Sequence, residues 1–185
     1  LKKSFKLEGV VSAAANFDFV RLQWVNQKHL TQMSNDALAE KIVEISPETS
    51  HVEKDRLILA IDLVKERAET LLDFWRLMKY LFYAPEVFEE KAIVRLSEKS
   101  KAILEQGEKI ACASENTSML NEGEGFIDAC LGWCTENNIK AGQLMMTFRI
   151  AFVGGLHGID LKKIVSFIGL KETCARLKRL KKLLG

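Results

Sequence analysis

Proline is scarce in this 185-residue chain, which holds only Pro47 and Pro85. So few breaks exclude a Pro-rich linker or a low-complexity chain and leave room for long helices. Long hydrophobic runs are missing too, and every apolar stretch falls well short of the roughly 20 residues a membrane span needs. The opening residues Leu1–Leu7 contain no signal-peptide core and no initiating Met, which suggests a piece of something longer. Only three histidines occur, His29, His51 and His157, none of them close in sequence to the four cysteines Cys112, Cys130, Cys134 and Cys174. Cys130 and Cys134 stand four apart, on one helical face, a spacing of neither a redox C-x-x-C nor a zinc knuckle. Free thiols are the expectation for all four, and no metal site is indicated. Catalytic signatures are also missing. No Walker loop, H-E-x-x-H or G-x-S-x-G is present, and Gly123-Glu124-Gly125 is too short to be a dinucleotide site without a preceding strand. The charges at Glu89, Glu90 and Lys91 read as a solvated helix face.

What is present is apolar and helical. A 48% hydrophobic fraction with 28% charged residues excludes disorder and supports a core burying roughly 70% of the unfolded surface. The charge is unevenly spread. From Lys140 to Gly185 there are ten basic residues against two acidic ones, a local balance of +8 in a chain whose total is +2, so the remainder carries −6. Such segregation points to a polyanion, nucleic acid or anionic lipid, or to a helix solvated by lysines.

Apolar residues recur at the 3.6-residue period almost throughout. Asp18 can cap a helix with Phe19, Leu22, Val25 and Asn26 on one face and Trp24 beside it, and Ser34 can cap a second with Ala37, Leu38, Lys41 and Ile42. After the Ser46-Pro47 break, Leu57, Ile58, Ile61 and Val64 continue the period up to Arg67. Leu71, Phe74, Trp75, Met78, Leu81 and Phe82 form an apolar stripe that stops at Ala84-Pro85. A charged helix is expected from about Phe88 to Ile110 with Ala92, Leu96, Lys99, Ile103 and Leu104 inward, then a connection over Ala113–Gly125. Four more helices are expected near Phe126–Glu136, Gly142–Phe152, Leu161–Ile168 and Leu170–Leu184. The fold class is all-α, without solenoid repeats. Pro85 suggests two helical subdomains, 1–87 and 88–185.

One segment combines a short apolar helix bearing Arg149 with a glycine-rich loop, running from Gly142 to Leu161. Glycine-rich loops and helix N-termini can offer N–H groups to phosphates or base edges. The residues here carry a family likeness. The run GQLMMTFRIAFVGG and, further on, LKKIVSFIGLKETCARLKRL resemble the C-terminal end of bacterial-type glutamyl-tRNA synthetase. Phe5-Lys-Leu-Glu8, Ala15-Asn-Phe-Asp18 and Leu22-Gln-Trp-Val-Asn26 are similar to N-terminal blocks of the same region, and Arg67-Ala-Glu-Thr70-Leu71 is similar to its Arg-x-x-Thr-Leu block. Thr147 stands where the family commonly has Pro, Val153-Gly154 where it has Thr-Gly, and His157-Gly158-Ile159-Asp160 lacks the usual Pro-Gly.

The resemblance implies an all-helical anticodon-binding cage, its N-terminal subdomain including the start of a stem-contact segment. A catalytic Rossmann domain would stand ahead of Leu1 in the whole protein. That protein would be a glutamate-tRNA ligase using ATP and Mg²⁺; this chain alone would be inactive and hold no cofactor. The implied partner is the anticodon loop of tRNA-Glu, bound by a cytoplasmic monomer that does not engage membranes. By the resemblance, Arg67 reads the third anticodon base, which leans against tRNA-Gln. Arg149 and the positions Gly158, Ile159, Asp160 and Leu161 fall on the first and second bases. An arginine suits such readout because its fork donates two parallel hydrogen bonds. Asp160 could instead cap the helix starting at Leu161. Two other readings remain: a protein-docking module using Leu71–Phe82 or the basic terminal helix, and a membrane-surface helix over residues 170–184.

Overall fold

The computed structural model describes residues 18–114 and 123–185; the Phe5–Glu8 and most of the Ala15–Asp18 blocks, and the middle of the connection after Ala113, lie outside them. Among the described residues there are nine α-helices and no strand: α1 (Phe19–Gln32), α2 (Asn35–Ile45), α3 (Lys54–Val64), α4 (Leu71–Phe82), α5 (Glu90–Ile93), α6 (Glu98–Ser114), α7 (Glu124–Glu136), α8 (Ala141–Val153) and α9 (Leu161–Leu183). Short 3-10 turns at Pro47–His51 and Lys65–Arg67 join α2 to α3 and extend α3. The expected caps form. Asp18 accepts from the Arg21 N–H and Ser34 from the Ala37 N–H, each satisfying a donor that a helix start leaves open.

Helices α2, α3 and α4 pack on one another, as do α6, α7, α8 and α9, and α4 meets α9. A single buried cluster runs through both groups, from Leu38 and Ile61 through Phe74 and Met78 to Phe148, Ile164 and Leu177. The α4 stripe is part of this core, with Phe74, Trp75, Met78 and Leu81 buried, so it offers no docking face. Leu177 and Leu180 of the basic terminal helix are fully buried as well, which removes the apolar side a membrane-surface helix would need. No helix among the described residues is long and apolar enough to cross a membrane.

Four expectations need correction. The single charged helix after Phe88 is two, because Ser100 turns its hydroxyl back to accept from the Ser97 N–H and starts α6 there, one half of a capping box. In that helix Lys99 is exposed and its neighbour Ser100 turns inward with Ile103 and Leu104, accepting from Thr147 Oγ1 of α8 at 3.2 Å. The inward face expected for α1 is largely exposed, and Leu30 is its buried residue. Cys112 and Cys174 are joined as a disulfide between α6 and α9, whose packing brings together positions 62 apart in sequence. Cys130 and Cys134 are free and buried on one face of α7, and burial, with Cys134 adding to it, pushes the Cys130 thiol up to about 12.

Gly169 carries φ +78° and ψ 164°, a conformation essentially restricted to glycine, and it divides α9 where the sequence places a boundary. The largest fully buried side chain among the described residues is charged. Arg176, 1% exposed, donates through Nη1 to the carbonyls of Tyr80 (2.6 Å) and Phe152 (2.9 Å), and through Nε to Glu172 (2.7 Å). Burial pulls its guanidinium below the ordinary arginine value, while Glu172 opposes that shift. Arg176→Met, which keeps the stem but orphans two buried carbonyls, is expected to lower unfolding free energy by about 2–5 kcal/mol in urea titration.

Candidate nucleic-acid interface

The first arginine singled out in the sequence sits on a braced turn. Lys65–Arg67 continues α3 as a 3-10 turn, and α1 holds it from one side. Gln27 Nε2 donates to the Glu66 carbonyl at 2.7 Å, and Asn26 Nδ2 donates to the Glu69 carbonyl. On the other side α4 begins in a capping-box arrangement, in which the Asp73 carboxylate accepts from the Thr70 N–H and hydroxyl, both at 2.9 Å. Arg67 forms no ion pair with Glu66 or Glu69 among the described residues and reaches across to the C-terminal group of helices.

There it meets the second arginine. Arg67 Nη1 donates to the Gly158 carbonyl at 2.7 Å, and Arg149 Nη1 donates to the same carbonyl and to that of Ile159, each at 2.9 Å. The Ile159 N–H in turn donates to the Tyr80 hydroxyl at 3.1 Å. Burial pushes the Tyr80 phenol above its ordinary value, against the pull of the Ile159 N–H and of the Arg67 and Arg149 charges, so it stays protonated near neutrality. Four of the six candidate positions, Arg67, Arg149, Gly158 and Ile159, therefore converge on one peptide. Asp160 is the N-cap of α9, its carboxylate accepting from the Lys162 N–H at 2.8 Å, and remains exposed beside them. Ile159 and Leu161 bury their side chains in the core (3% exposed each), so what these positions present is backbone.

The other loop glycines do different work. Gly154 ends α8 at φ +84°, where an L side chain would also run into the Val87 carbonyl and the Pro85 ring, and its own carbonyl accepts from the Glu89 N–H at 2.8 Å. The glycine-rich stretch thus packs against residues 85–89 and narrows to Gly158 at the arginine pair.

A groove of about 760 Å³ opens beside Arg67 and Asp160, lined by Gln27, Lys28, Thr31, Lys65 and Lys163 among others. It is polar and of ligand-site size, with Lys28, Lys65, Arg67 and Lys163 facing the acidic Asp62, Glu66 and Asp160. Sequence reading did not single out these groove residues or Tyr80. Lys65 shares the turn of Arg67, whereas the others come from α1, α4 and the start of α9, and only folding brings them there. The C-terminal positive balance is partly internal: Arg149 and Arg176 bond carbonyls, Lys162 pairs with Asp128 and Lys181 with Glu108. Lys140, Lys163, Lys171, Lys178, Arg179 and Lys182 remain exposed.

An all-helical domain with arginines gathered at a polar groove is a form suited to single-stranded nucleic acid, whose unstacked bases accept side-chain hydrogen bonds. The chain belongs to the anticodon binding domain family, whose profile matches residues 27–181. It is similar to the glutamate–tRNA ligases of Flavobacterium psychrophilum (31% identical over 97% of this chain and 35% of the relative) and Christiangramia forsetii (32% identical, with the same shares). Its structure is similar to the glutamate-tRNA synthetase of Elizabethkingia anophelis (TM-score 0.78, 28% identical, 96% of this chain and 34% of that one). It also resembles the glutamate tRNA ligase of Elizabethkingia meningosepticum, solved in complex with its amino acid (TM-score 0.82, 27% identical, 98% and 36%). The chain spans about a third of the length of the relatives it matches.

The turn that carries Arg67 has a readable acid limit. Burial raises the Asp73 carboxyl, but the Thr70 hydroxyl and N–H together with Arg76 outweigh it and hold the group below its ordinary 3.8. A carboxylate depressed in the folded state stabilises fully above 3.8 and loses that contribution as pH falls through its lower folded value. Asp73→Asn is expected to cost about 1 kcal/mol at pH 7 in chemical denaturation and to flatten stability against pH below that limit.

Proposed function

We propose that this chain reads the anticodon loop of tRNA-Glu on behalf of a protein that attaches glutamate to that tRNA. The observation that carries this reading is the meeting of Arg67 and Arg149 at the Gly158 carbonyl, at the edge of a polar groove in a chain of the anticodon-binding family. Each arginine commits Nη1 to the loop, which leaves other N–H groups of its fork free to donate to base edges. Arg67, more exposed and beside the groove, takes the third base. Arg149, with the backbone of Gly158–Leu161, takes the first and second. Lys28 and Lys163 supply positive charge for the phosphates around the groove, Lys65 being tied to the Met33 carbonyl and Asn35, while Asp160 keeps α9 capped and can accept from a base amino group.

In this reading the reaction with ATP and Mg²⁺ belongs to parts of the protein beyond this chain, and the chain alone binds tRNA as a monomer without charging it. Its place of work is the cytoplasm. Burial of the α4 stripe and of Leu177 and Leu180 weighs against the docking-module and membrane-surface readings.

Titration of the chain with tRNA-Glu transcripts at two salt concentrations tests the proposal. A preference for the wild-type anticodon that survives added salt is expected, because phosphate contacts lose affinity with salt and carry no sequence information. Arg67→Ala is expected to weaken cognate binding by about 1–3 kcal/mol and to relax choice at the third anticodon base alone. Equal loss against every anticodon would overturn base reading by Arg67.

A further inference from the structure

We infer that Tyr80 is a positioning residue for anticodon reading, its hydroxyl holding the Gly158–Ile159 peptide in the orientation that aims both Arg67 and Arg149. The inference rests on the reading proposed above and extends it to a residue of α4 that has no part in the glycine-rich segment. A trans peptide is a rigid plane whose C=O and N–H point in opposite directions. This one is held at both ends: Arg67 and Arg149 donate to its carbonyl, and its N–H donates to Tyr80 Oη. The three side chains arrive from the turn after α3, from α8 and from α4, so the plane cannot turn without breaking bonds to separate parts of the fold.

Tyr80 is itself rigidly placed. It is 9% exposed, and its own carbonyl accepts from the buried Arg176 at 2.6 Å. The approach to the loop is close on every side, since a Cβ on Gly158 would stand 3.1 Å from Val153 Cγ2, 3.3 Å from Arg149 Nη1 and 3.5 Å from Tyr80 Oη. Two like-charged guanidiniums share one acceptor here, an arrangement that holds only while that carbonyl faces both. Without the tyrosine hydroxyl, the Ile159 N–H loses its acceptor and the peptide is free to tilt. Both arginines then lose their common stop together. The signature of this role is a coupled loss of choice at anticodon positions read by different arginines. A packing defect would instead weaken every tRNA alike.

Tyr80→Phe removes the hydroxyl and keeps the ring. Dissociation constants of the wild-type chain and the variant would be measured for the tRNA-Glu transcript and for transcripts altered at the third or at the first anticodon base. The ratio of altered to cognate constants is expected to fall about two- to tenfold at both positions, the range one lost hydrogen bond implies. Amide exchange at Ile159 is expected to quicken. An amide-to-ester replacement at Ile159 removes the same N–H from the other side and also weakens the Gly158 carbonyl as an acceptor, so it must lower the ratios at both positions at least as far, even if Tyr80→Phe folds poorly. Unchanged ratios in these variants, with a discriminating wild type, would overturn the role of Tyr80 and leave anticodon reading standing. Uniform weakening of all tRNAs would reduce Tyr80 to a packing residue and overturn the role as well. A wild-type chain that ignores the anticodon would overturn the proposed function, and this role with it.

Discussion

The buried guanidinium of Arg176 is the constraint on which the arrangement of the site depends. Helices α4 and α8 both finish at the junction between the two groups of helices, and the last carbonyls of a helix have no partner within it. Arg176 answers one from each, at Tyr80 and Phe152, and its positive charge suits the negative end of both helix dipoles. A neutral side chain could not serve two acceptors there with the same strength, and lysine lacks the planar fork that fits them. Glu172, half exposed on the same helix, offsets part of the cost of burying the charge. From this fixed point the order of placement runs outward. Arg176 fixes the Tyr80 backbone, Tyr80 fixes the Ile159 N–H, and the Gly158 carbonyl then receives both site arginines.

Positive charge is used in two ways in the C-terminal quarter. Arg149 and Arg176 act inside the fold, as donors to backbone carbonyls, and Lys162 and Lys181 tie α9 to α7 and α6 through Asp128 and Glu108. The exposed lysines and Arg179 are what a polyanion would meet. A net count of charge along the sequence merges these two roles, which explains why it fits both a polyanion partner and a solvated helix.

The secondary structure was largely legible because its causes are local. Asp18 and Ser34 cap where their spacing to the following amides says they should, the α4 stripe follows from the helical period, and Gly169 divides α9 by its own backbone freedom. The break before α6 was less legible, since Ser97 and Ser100 sit within an otherwise continuous helical pattern. At the site, Arg67 and Arg149 could be named from family blocks, but not their convergence, for Arg67 and its acceptor lie 91 residues apart. Tyr80 is 79 residues from the amide it holds, and Cys112 is 62 from Cys174. No period or spacing rule links positions at such distances. The amides of Asn26 and Gln27 were hidden for a related reason, because their partners are carbonyls, which every residue carries.

The peptide gripped at Gly158–Ile159 lies immediately ahead of the Asp160 cap, so it is also the root of the first half of α9, which runs from Leu161 to the kink at Gly169. That half is a lever arm about 12 Å long, and tilting its root by about 10° would swing its far end by about 2 Å. Side chains along the arm, Lys163 at the groove and Lys162 against Asp128, would be carried with it. The grip on a single peptide plane thus governs angular alignment as well as local contact. Beyond Gly169 the helix takes a new direction and is anchored by Arg176, so the arm ends before it reaches the buried charge.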